Sequence, residues 1–430
     1  AELQANARQT GADVIASVDG IIRRANLAPF KDKLANPPAW AEAARGKNYI
    51  TVPPDYLREG WWLMMSRQVA GIGLSVGPGV FGLAPGEKHW ATPTVPGEAM
   101  KALEEGCRAA VMLGPLLRNM PERAPEVAIL ESYAGAFFAG QAAWDWSTAS
   151  RSLGNLATAA NLPPYALFEE ELAKGEVPAS VKVVYAPVCD VLTERAADAL
   201  ARFRARGGRV IGSPTLAPGV KADAQLPDVG PLFVTRKTVS GKETDEAIRR
   251  QAAALRAVTG LRPYADVDNA WLFTFVRTYK DADVVFVVND RREAGDYIGP
   301  WGKALEKGVA NKGTVAVARA AGAVYDLVRH ERVPFSVEKG QTRIPVSFGT
   351  TDGKALMLVS KPLGRLAAKA ADGTLAVTSP DVAAMIPFGI LDAQGKALRY
   401  GVLRDGRWSG PAPAGAAKVL NLADGAVTAF

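Results

Sequence analysis

The sequence predicts a parallel α/β fold over its first 260 or so residues and an all-β fold over the remainder. Three observations carry this. Strand-like and helix-like segments alternate with short links from residue 13 to residue 120, the pattern of parallel strands joined by helical crossovers. After a linker-like stretch, Pro121-Glu-Arg-Ala-Pro125, a second such series begins. From Trp271 onward the pattern becomes β-like, with turn signals such as Asp352-Gly353 between the apolar runs.

In order along the chain, residues 13–19 form a short apolar strand that ends in the carboxylate of Asp19. A helical stretch follows, broken by Pro37-Pro38 and resumed through 39–45. Residues 48–52 are a second strand, closed by Pro53-Pro54. Asp55 caps the next helix, 56–69, with Glu59 in its first turn. Trp61, Trp62, Leu63, Met64 and Met65 make that helix apolar on most sides, and a helix apolar nearly all round is buried on both faces. Residues 70–76 are a third strand, and a Gly/Pro-rich loop runs to Gly97. The helix over 98–117 puts Met100, Leu103, Cys107, Ala110 and Gly114 on one apolar stripe, which predicts a core position for Cys107.

The second series reads as strands at 126–130, 181–186 and 209–212, with helices over 147–160, 196–206 and 244–259. In the β region, 271–279, 283–289, 343–348 and 355–360 are strands, with a turn over 290–296. This predicts a sandwich from about 265 to 365. Strands at 374–378, 385–391, 398–403 and 419–422 suggest a further small β module over 366–430.

Composition excludes several classes. The 430 residues are 48% apolar and 22% charged, as in ordinary globular proteins, and leave room for two to four domains. The net charge of +7 comes from 51 basic and 44 acidic residues, with no basic run of five, so no nucleic-acid groove is indicated. No run of 18 apolar residues exists, so no spanning helix is expected. Two cysteines and two histidines give neither a disulfide framework nor a good metal-ligand set, and no metal or cofactor is expected. The start lacks an initiator Met and the basic and apolar regions of a signal peptide. Either a leader has been removed or the chain begins inside a longer gene product, and a periplasmic or extracellular place is favoured over the cytoplasm.

Three kinds of chemistry are conceivable from these residues. Cys189, in Ala186-Pro-Val-Cys-Asp190, follows a buried strand. A hydrolytic Cys needs a tight glycine-flanked elbow and a His base; here Pro187 and Asp190 flank it and His330 lies in the β region, so a core thiol is expected. The glycines of 71–73 and 77–82 lack dinucleotide and phosphate-loop spacing and read as turns. Paired carboxylates remain. In a parallel α/β barrel the residues just past strand ends line the active face, and Asp19, Asp55 and Glu59 lie at or after such ends. Asp55 and Glu59 each have a structural alternative, as helix cap and first-turn dipole partner. On the loop over 77–97, Phe81, His89 and Trp90 offer faces for sugar stacking, or a plug for the barrel end.

The order of these blocks resembles the C-terminal part of family 42 beta-galactosidases and related clan A glycoside hydrolases. Three stretches carry it. The run from Pro53 to Val76, with Tyr-Leu-Arg-Glu-Gly-Trp-Trp-Leu-Met-Met inside it, looks like the seventh helix and eighth strand of their barrel. Glu126-Val-Ala-Ile-Leu130, with 181–190 and 199–213, looks like their amidotransferase-like trimerisation domain. The β region looks like their C-terminal sandwich. The resemblance implies the last part of a (β/α)8 barrel over 1–121, a flavodoxin-like (amidotransferase-like) α/β domain over 122–264, a β-sandwich over 265–365 and a small β module over 366–430. It further implies a carbohydrate substrate and a homo-oligomer, trimer or dimer.

The departures are equally informative. The strand carrying the family's acid/base Glu is missing from this chain, and Pro53 stands where the nucleophile Glu is expected. Neither Asp19 nor Asp55 matches that Glu. Three βα units cannot close a barrel, and the all-round apolar helix over 56–69 suggests that more of a barrel exists. Two functions follow: part of a glycoside hydrolase acting on beta-linked sugars, its barrel completed by another polypeptide or a missing segment, or a non-catalytic assembly or carbohydrate-binding scaffold.

Overall fold

The structure, a computed structural model, describes residues 15–18, 21–23, 49–51, 54–67, 69, 71–74, 96–139, 143–227, 241–298 and 304–430. Its contacts divide into two compact units. One holds Arg123–Phe273; the other joins Ile15–Glu122 to Thr274–Phe430.

The joined unit begins with β1 (Ile15–Val18), β2 (Ile21–Arg23), β3 (Tyr49–Thr51), helix α1 (Pro54–Ser66), β4 (Gly71–Leu74) and helix α2 (Pro96–Asn119). β1 pairs with β4 in parallel, Ile15 opposite Gly71 and Val18 opposite Leu74. β3, expected in the same parallel series, instead pairs antiparallel with β2. A three-residue strand is too short for its apolar pattern to specify a partner, and the partner here lies in a segment that reads as helix.

α1 opens with Pro at its first position and Asp55 in its first turn, as helix starts favour. Leu57 and Trp61 bury against Ala102 and Leu103 of α2. The indole of Trp61 lies so close to Gly106 that a Cβ there would sit 2.5 Å from the ring. Trp62 points elsewhere and rests on Gly353, where a Cβ would come within 2.3 Å. Each tryptophan of the pair therefore has a glycine as its seat. α1 thus packs on α2 through Trp61 and on Gly353 of the β region through Trp62.

α2 departs from expectation in its facing. Its buried side is Ala102, Leu103, Ala109, Met112, Leu113, Leu116 and Leu117. Cys107, expected in the core, is exposed. The stripe through Met100, Cys107 and Gly114 runs along the flank of the helix, because the bulk of Trp61 draws Gly106 to the contact instead.

The other unit contains β5 (Val127–Glu131), α3 (Tyr133–Ala139), α4 (Ala143–Ala159), β6 (Tyr165–Phe168), α5 (Glu169–Lys174), β7 (Val183–Ala186), α6 (Glu194–Ala205), β8 (Arg209–Gly212), β9 (Ala224–Gln225), α7 (Lys242–Thr259) and β10 (Ala265–Val267). Its five-stranded sheet has the order β6-β5-β7-β8-β9, and every pair in it is parallel. That is the 2-1-3-4-5 order of flavodoxin-like sheets. β5 explains why such strands read as unbroken apolar runs. Val127 and Ile129 face a core with Leu153, Leu156, Ile248 and Leu255 from α4 and α7. Ala128 and Leu130 face one with Leu172, Leu200 and Phe203 from α5 and α6. Alternate residues fill opposite layers, so no polar face is left.

The joined unit resumes with β11 (Leu272–Tyr279), β12 (Ala282–Asn289), β13 (Arg292–Ile298), β14 (Ala304–Gly308), β15 (Asn311–Val317), β16 (Ala323–Asp326), β17 (Glu331–Arg332), β18 (Ser336–Glu338), β19 (Gln341–Phe348) and β20 (Gly353–Val359). One sheet runs β11-β12-β20-β16-β17; β19 pairs antiparallel with β15 and with β18. β13, read as part of a turn because of its charges, pairs with β14. Its Arg292 is buried because the charge is met internally. The final strands, β21 (Ala367–Ala371), β22 (Thr374–Thr378), β23 (Ile386–Asp392), β24 (Ala397–Leu403), β25 (Arg407–Pro411), β26 (Ala416–Asn421) and β27 (Val427–Ala429), form two sheets of their own, β21-β22-β25 and β24-β23-β26-β27.

One residue of β11 holds the two halves of this unit together. Arg277 is fully buried. Its guanidinium donates to the carbonyls of Leu117 and Met120, both at 2.9 Å, to Met65 O at 3.3 Å, and to Arg67 O. These are the last carbonyls of α2 and α1, which a helix leaves without internal partners, and their partial negative charge suits a cation. Burial pulls the guanidinium down to about 10, still charged at neutral pH. Beside it Thr278 N donates to Pro121 O at 3.1 Å.

Candidate functional site

Of the carboxylates singled out in the sequence, Asp55 and Glu59 lie in the first two turns of α1. Asp55 Oδ2 accepts the backbone N–H of Gly308 at 3.1 Å, and its other oxygen lies 3.6 Å from Arg58. Arg58 also reaches Glu105 of α2 at 2.9 Å. Glu59, one turn on, is 5% exposed. Its Oε1 accepts from Arg292 Nη2 at 2.9 Å, and the same guanidinium nitrogen pairs with Asp290. Two acids thus share one arginine in a nearly dry setting, where an unpaired charge would be costly. Asp55 and Glu59, two of the three sequence-predicted carboxylates, are engaged by the β13–β14 pair, whose residues lie 233 and 253 positions further on. Chemically, this arrangement orients α1 and neutralises a buried cation.

Asp19, Phe81, His89 and Trp90 lie outside the described residues. Among the described residues, no group of three His, Cys, Asp or Glu side chains is placed to hold a metal ion, and no helix is long and apolar enough to cross a membrane.

The carboxyl ends of the parallel sheet form a second place where chemistry could gather, since ligands in such folds sit where the strand order reverses. Between β5 and β7 stand Glu131, Ser132, Val188 and Cys189. Val188 has φ 47°, a left-handed conformation that costs a β-branched residue about 1–3 kcal/mol. An elbow nucleophile sits on a strained strand-to-helix turn of this kind. Here the strain falls on Val188, and the thiol is one residue later. Cys189 is fully buried, its Sγ donates to Pro187 O at 3.2 Å, and burial, with Glu131, Glu169 and Asp190 nearby, pushes the thiol well above its ordinary value. It is a packed thiol and no nucleophile.

Glu169, at the end of β6, was not singled out in the sequence. It is 3% exposed and accepts three hydrogen bonds: from Thr193 N at 2.7 Å, Ser132 Oγ at 2.9 Å and Ala134 N at 3.1 Å. Burial alone would raise it, but the hydrogen bonds from Thr193, Ala134 and Ser132 outweigh burial and hold the carboxyl below its ordinary value. Its only sequence signal is the run Glu169-Glu170-Glu171 after an apolar tetrapeptide, which marks a helix start. Glu171 supplies that start's cap, accepting Phe168 N at 3.0 Å.

A cleft of about 500 Å3 opens beside α2, lined by Trp61, Met65, Ile72, Cys107 and Val111, with Arg67 and Arg118 among its polar residues. Its floor is apolar, and it contains none of the candidate carboxylates.

No protein-family model matches the chain, and no curated protein matches its sequence. Its fold is similar to that of solved glycoside hydrolases at low identity. Alpha-L-fucosidase isoenzyme 2 from Paenibacillus thiaminolyticus aligns at a TM-score of 0.51 and 10% identity, over 83% of this chain and 62% of the fucosidase. A GH42 beta-galactosidase from G. stearothermophilus aligns at 0.45 and 14%, over 73% of this chain and 52% of that one. The beta-galactosidase from Bacillus circulans sp. alkalophilus gives 0.46 and 12%, over 74% and 54%. The chain therefore spans less than two thirds of the length of each. The likeness to the fucosidase speaks for the fold; the other two scores are too low to carry an argument.

Proposed function

We propose that this chain is the C-terminal part of a glycoside hydrolase-like protein acting on beta-linked sugars. Another polypeptide, or a segment beyond these residues, completes the barrel. The observation that carries the reading is the fold likeness to the fucosidase over 83% of the chain. In this reading β1, β4, α1 and α2 belong to the last βα units of the barrel. Residues 122–264 are the amidotransferase-like domain through which copies of the chain associate, and the segments 265–365 and 366–430 are the β-sandwich and the small β module. Substrate meets the strand-end face of the first region, with Asp19, Asp55 and Glu59 as its carboxylates and Phe81, His89 and Trp90 as its stacking groups. The site lies in the periplasm or outside the cell.

A second reading, a non-catalytic assembly or carbohydrate-binding scaffold, has its own support. Asp55 and Glu59 are already engaged, by Gly308 and Arg292, which leaves them poorly placed for proton transfer. One experiment separates the two. The native particle, purified together with whatever polypeptide or segment completes the barrel, is assayed with chromogenic beta-D-galactoside and alpha-L-fucoside, and galactose binding is followed by calorimetry. Turnover of the beta-galactoside supports the enzyme, with Asp19→Ala expected to abolish it at unchanged melting temperature. Binding without turnover supports the scaffold. Turnover of the fucoside alone overturns the beta-linked assignment, and a native particle that neither binds nor turns over any of them retires both readings.

A further inference from the structure

The geometry points to the cleft beside α2 as a binding site for a fatty-acid-like carboxylate, an apolar chain with one anionic head. The site is independent of the sugar chemistry proposed above. Met65 and Arg67 lie at the end of α1, Leu117 and Arg118 at the end of α2, and Gly71 and Ile72 at the start of β4. Because β1 and β4 run parallel, this is the end of the strands opposite the face on which substrate is placed. An occupant here neither needs a sugar nor blocks one.

The walls select the chain. A volume of about 500 Å3 is that of a small-ligand pocket, mainly apolar with a few polar groups. Ile72, Ala110 and Val111 line it, and Val111 is 63% exposed, so apolar surface stands ready to be covered. Cys107 is exposed as well, yet burial raises its thiol above the ordinary value, which sets one side of it against dry surroundings. Trp61 also lines the cleft. It is 4% exposed, and its buried Nε1 has no hydrogen-bond partner among the described residues. Buried N–H groups are nearly always paired. One left over in the lining of a cleft marks a wall that the protein does not complete by itself.

Charge selects the head. Arg67 and Arg118 line the cleft, and among the described residues of its lining there is no acid. Arg67 is already engaged: it pairs with Glu122 at 3.3 Å and lies over the ring of Phe275 at 5.3 Å. Arg118 is exposed in the last turn of α2 and makes no ion pair among the described residues. The carbonyls at two helix ends would by themselves repel an anion, but here Leu117 O, Met65 O and Arg67 O already accept from the buried Arg277. Three guanidiniums thus stand around this end of the helices. A carboxylate reaching Arg118 gains a charge-assisted hydrogen bond, whereas an ammonium would meet like charge.

The test uses the native particle and sodium decanoate, kept below the concentration at which it forms micelles. Labelling of Cys107 by N-ethylmaleimide, read by mass spectrometry, reports occupancy. At about ten times its Kd, decanoate should slow that labelling roughly tenfold. Each methylene removed from the chain should raise the Kd about fourfold. Decanol, with the same chain and no charge, should bind about tenfold more weakly, and Arg118→Gln should erase that preference. A Cβ on Gly114 meets no atom within 4 Å, so Gly114→Phe should fold, fill the cleft and abolish protection; circular dichroism melting checks both variants. Cys107 unreactive before any ligand is added would mean that another polypeptide covers the cleft, and would overturn the site. So would an absence of protection, or protection that survives Gly114→Phe. Decanol as effective as decanoate overturns the anionic head, and a preference that outlasts Arg118→Gln overturns Arg118 as its partner.

Discussion

Two buried glutamates, one in each unit, are satisfied by opposite means. Glu59 of α1 meets a full cation, Arg292, which it shares with Asp290. Glu169 of α5 meets no cation in its hydrogen-bond shell. Two backbone N–H groups and a hydroxyl surround it. The difference bears on what each can be used for. A glutamate neutralised by an arginine belongs to a long-range contact between a helix and a strand pair. A glutamate neutralised by main-chain dipoles belongs to its own loops, and it organises the turns after β5 and before α6 without altering the net charge around it.

Substitution at Glu59 should have the largest effect. Glu59→Ala leaves Arg292 with one acid where it had two, and breaking a buried pair costs about 3–5 kcal/mol; urea unfolding of the full chain measures it. An effect below 1 kcal/mol would mean that Asp290 alone satisfies the arginine. Next comes Glu169→Ala, which leaves three donors without their acceptor. At about 1–3 kcal/mol for a buried group left unsatisfied, it should cost about 2–3 kcal/mol, and Glu169→Gln should cost less because one acceptor oxygen remains.

The pH response sharpens the contrast. The folded pKa of Glu169 lies below its ordinary value of 4.5. Between the two values the unfolded chain binds more protons, so the stabilisation is complete above 4.5 and fades as pH falls through the folded pKa. The stability gap between wild type and Glu169→Gln should therefore shrink as pH falls below 4.5. A gap that stays constant would mean the carboxylate charge is not what the three donors recognise. The smallest effect concerns the thiols. In the native chain a thiol reagent should label Cys107, which is exposed, and spare Cys189, which is buried and donates to Pro187 O. Mass spectrometry of the labelled peptides reports this directly, and Cys189→Ser should leave any sugar turnover unchanged.

What could be read from the sequence follows the range of the interactions involved. Arg209–Gly212 was legible residue for residue, and α7 to within two residues at its start, because local apolar runs, Gly207-Gly208 and the stop at Gly260 carry the signal. Tyr165–Phe168 escaped notice because four residues between a proline pair and three glutamates look like a loop. Residues 290–296 read as a turn; that β13 is a strand with a buried Arg292 depends on Glu59, 233 positions away. The site divides in the same way. That Asp55 and Glu59 begin a helix is a local fact. That they hold Gly308 and Arg292 depends on residues more than two hundred positions away, and no period or motif reports it. Cys107 shows the converse failure: the apolar stripe was real, but the helix turned another side inward to seat a tryptophan on a glycine.

Arg277 has a consequence for how the protein is made. The last carbonyls of α2 and α1 wait for a side chain 160 and 212 residues further along. At roughly 5–20 residues per second on the ribosome, that tie becomes available about 10–40 seconds after α1 has been synthesised. The whole parallel-sheet unit is made in the interval, with its own cores complete. The order of synthesis thus delivers the middle of the chain first, and the two helices that precede it reach their final ends only when the β region arrives to hold them.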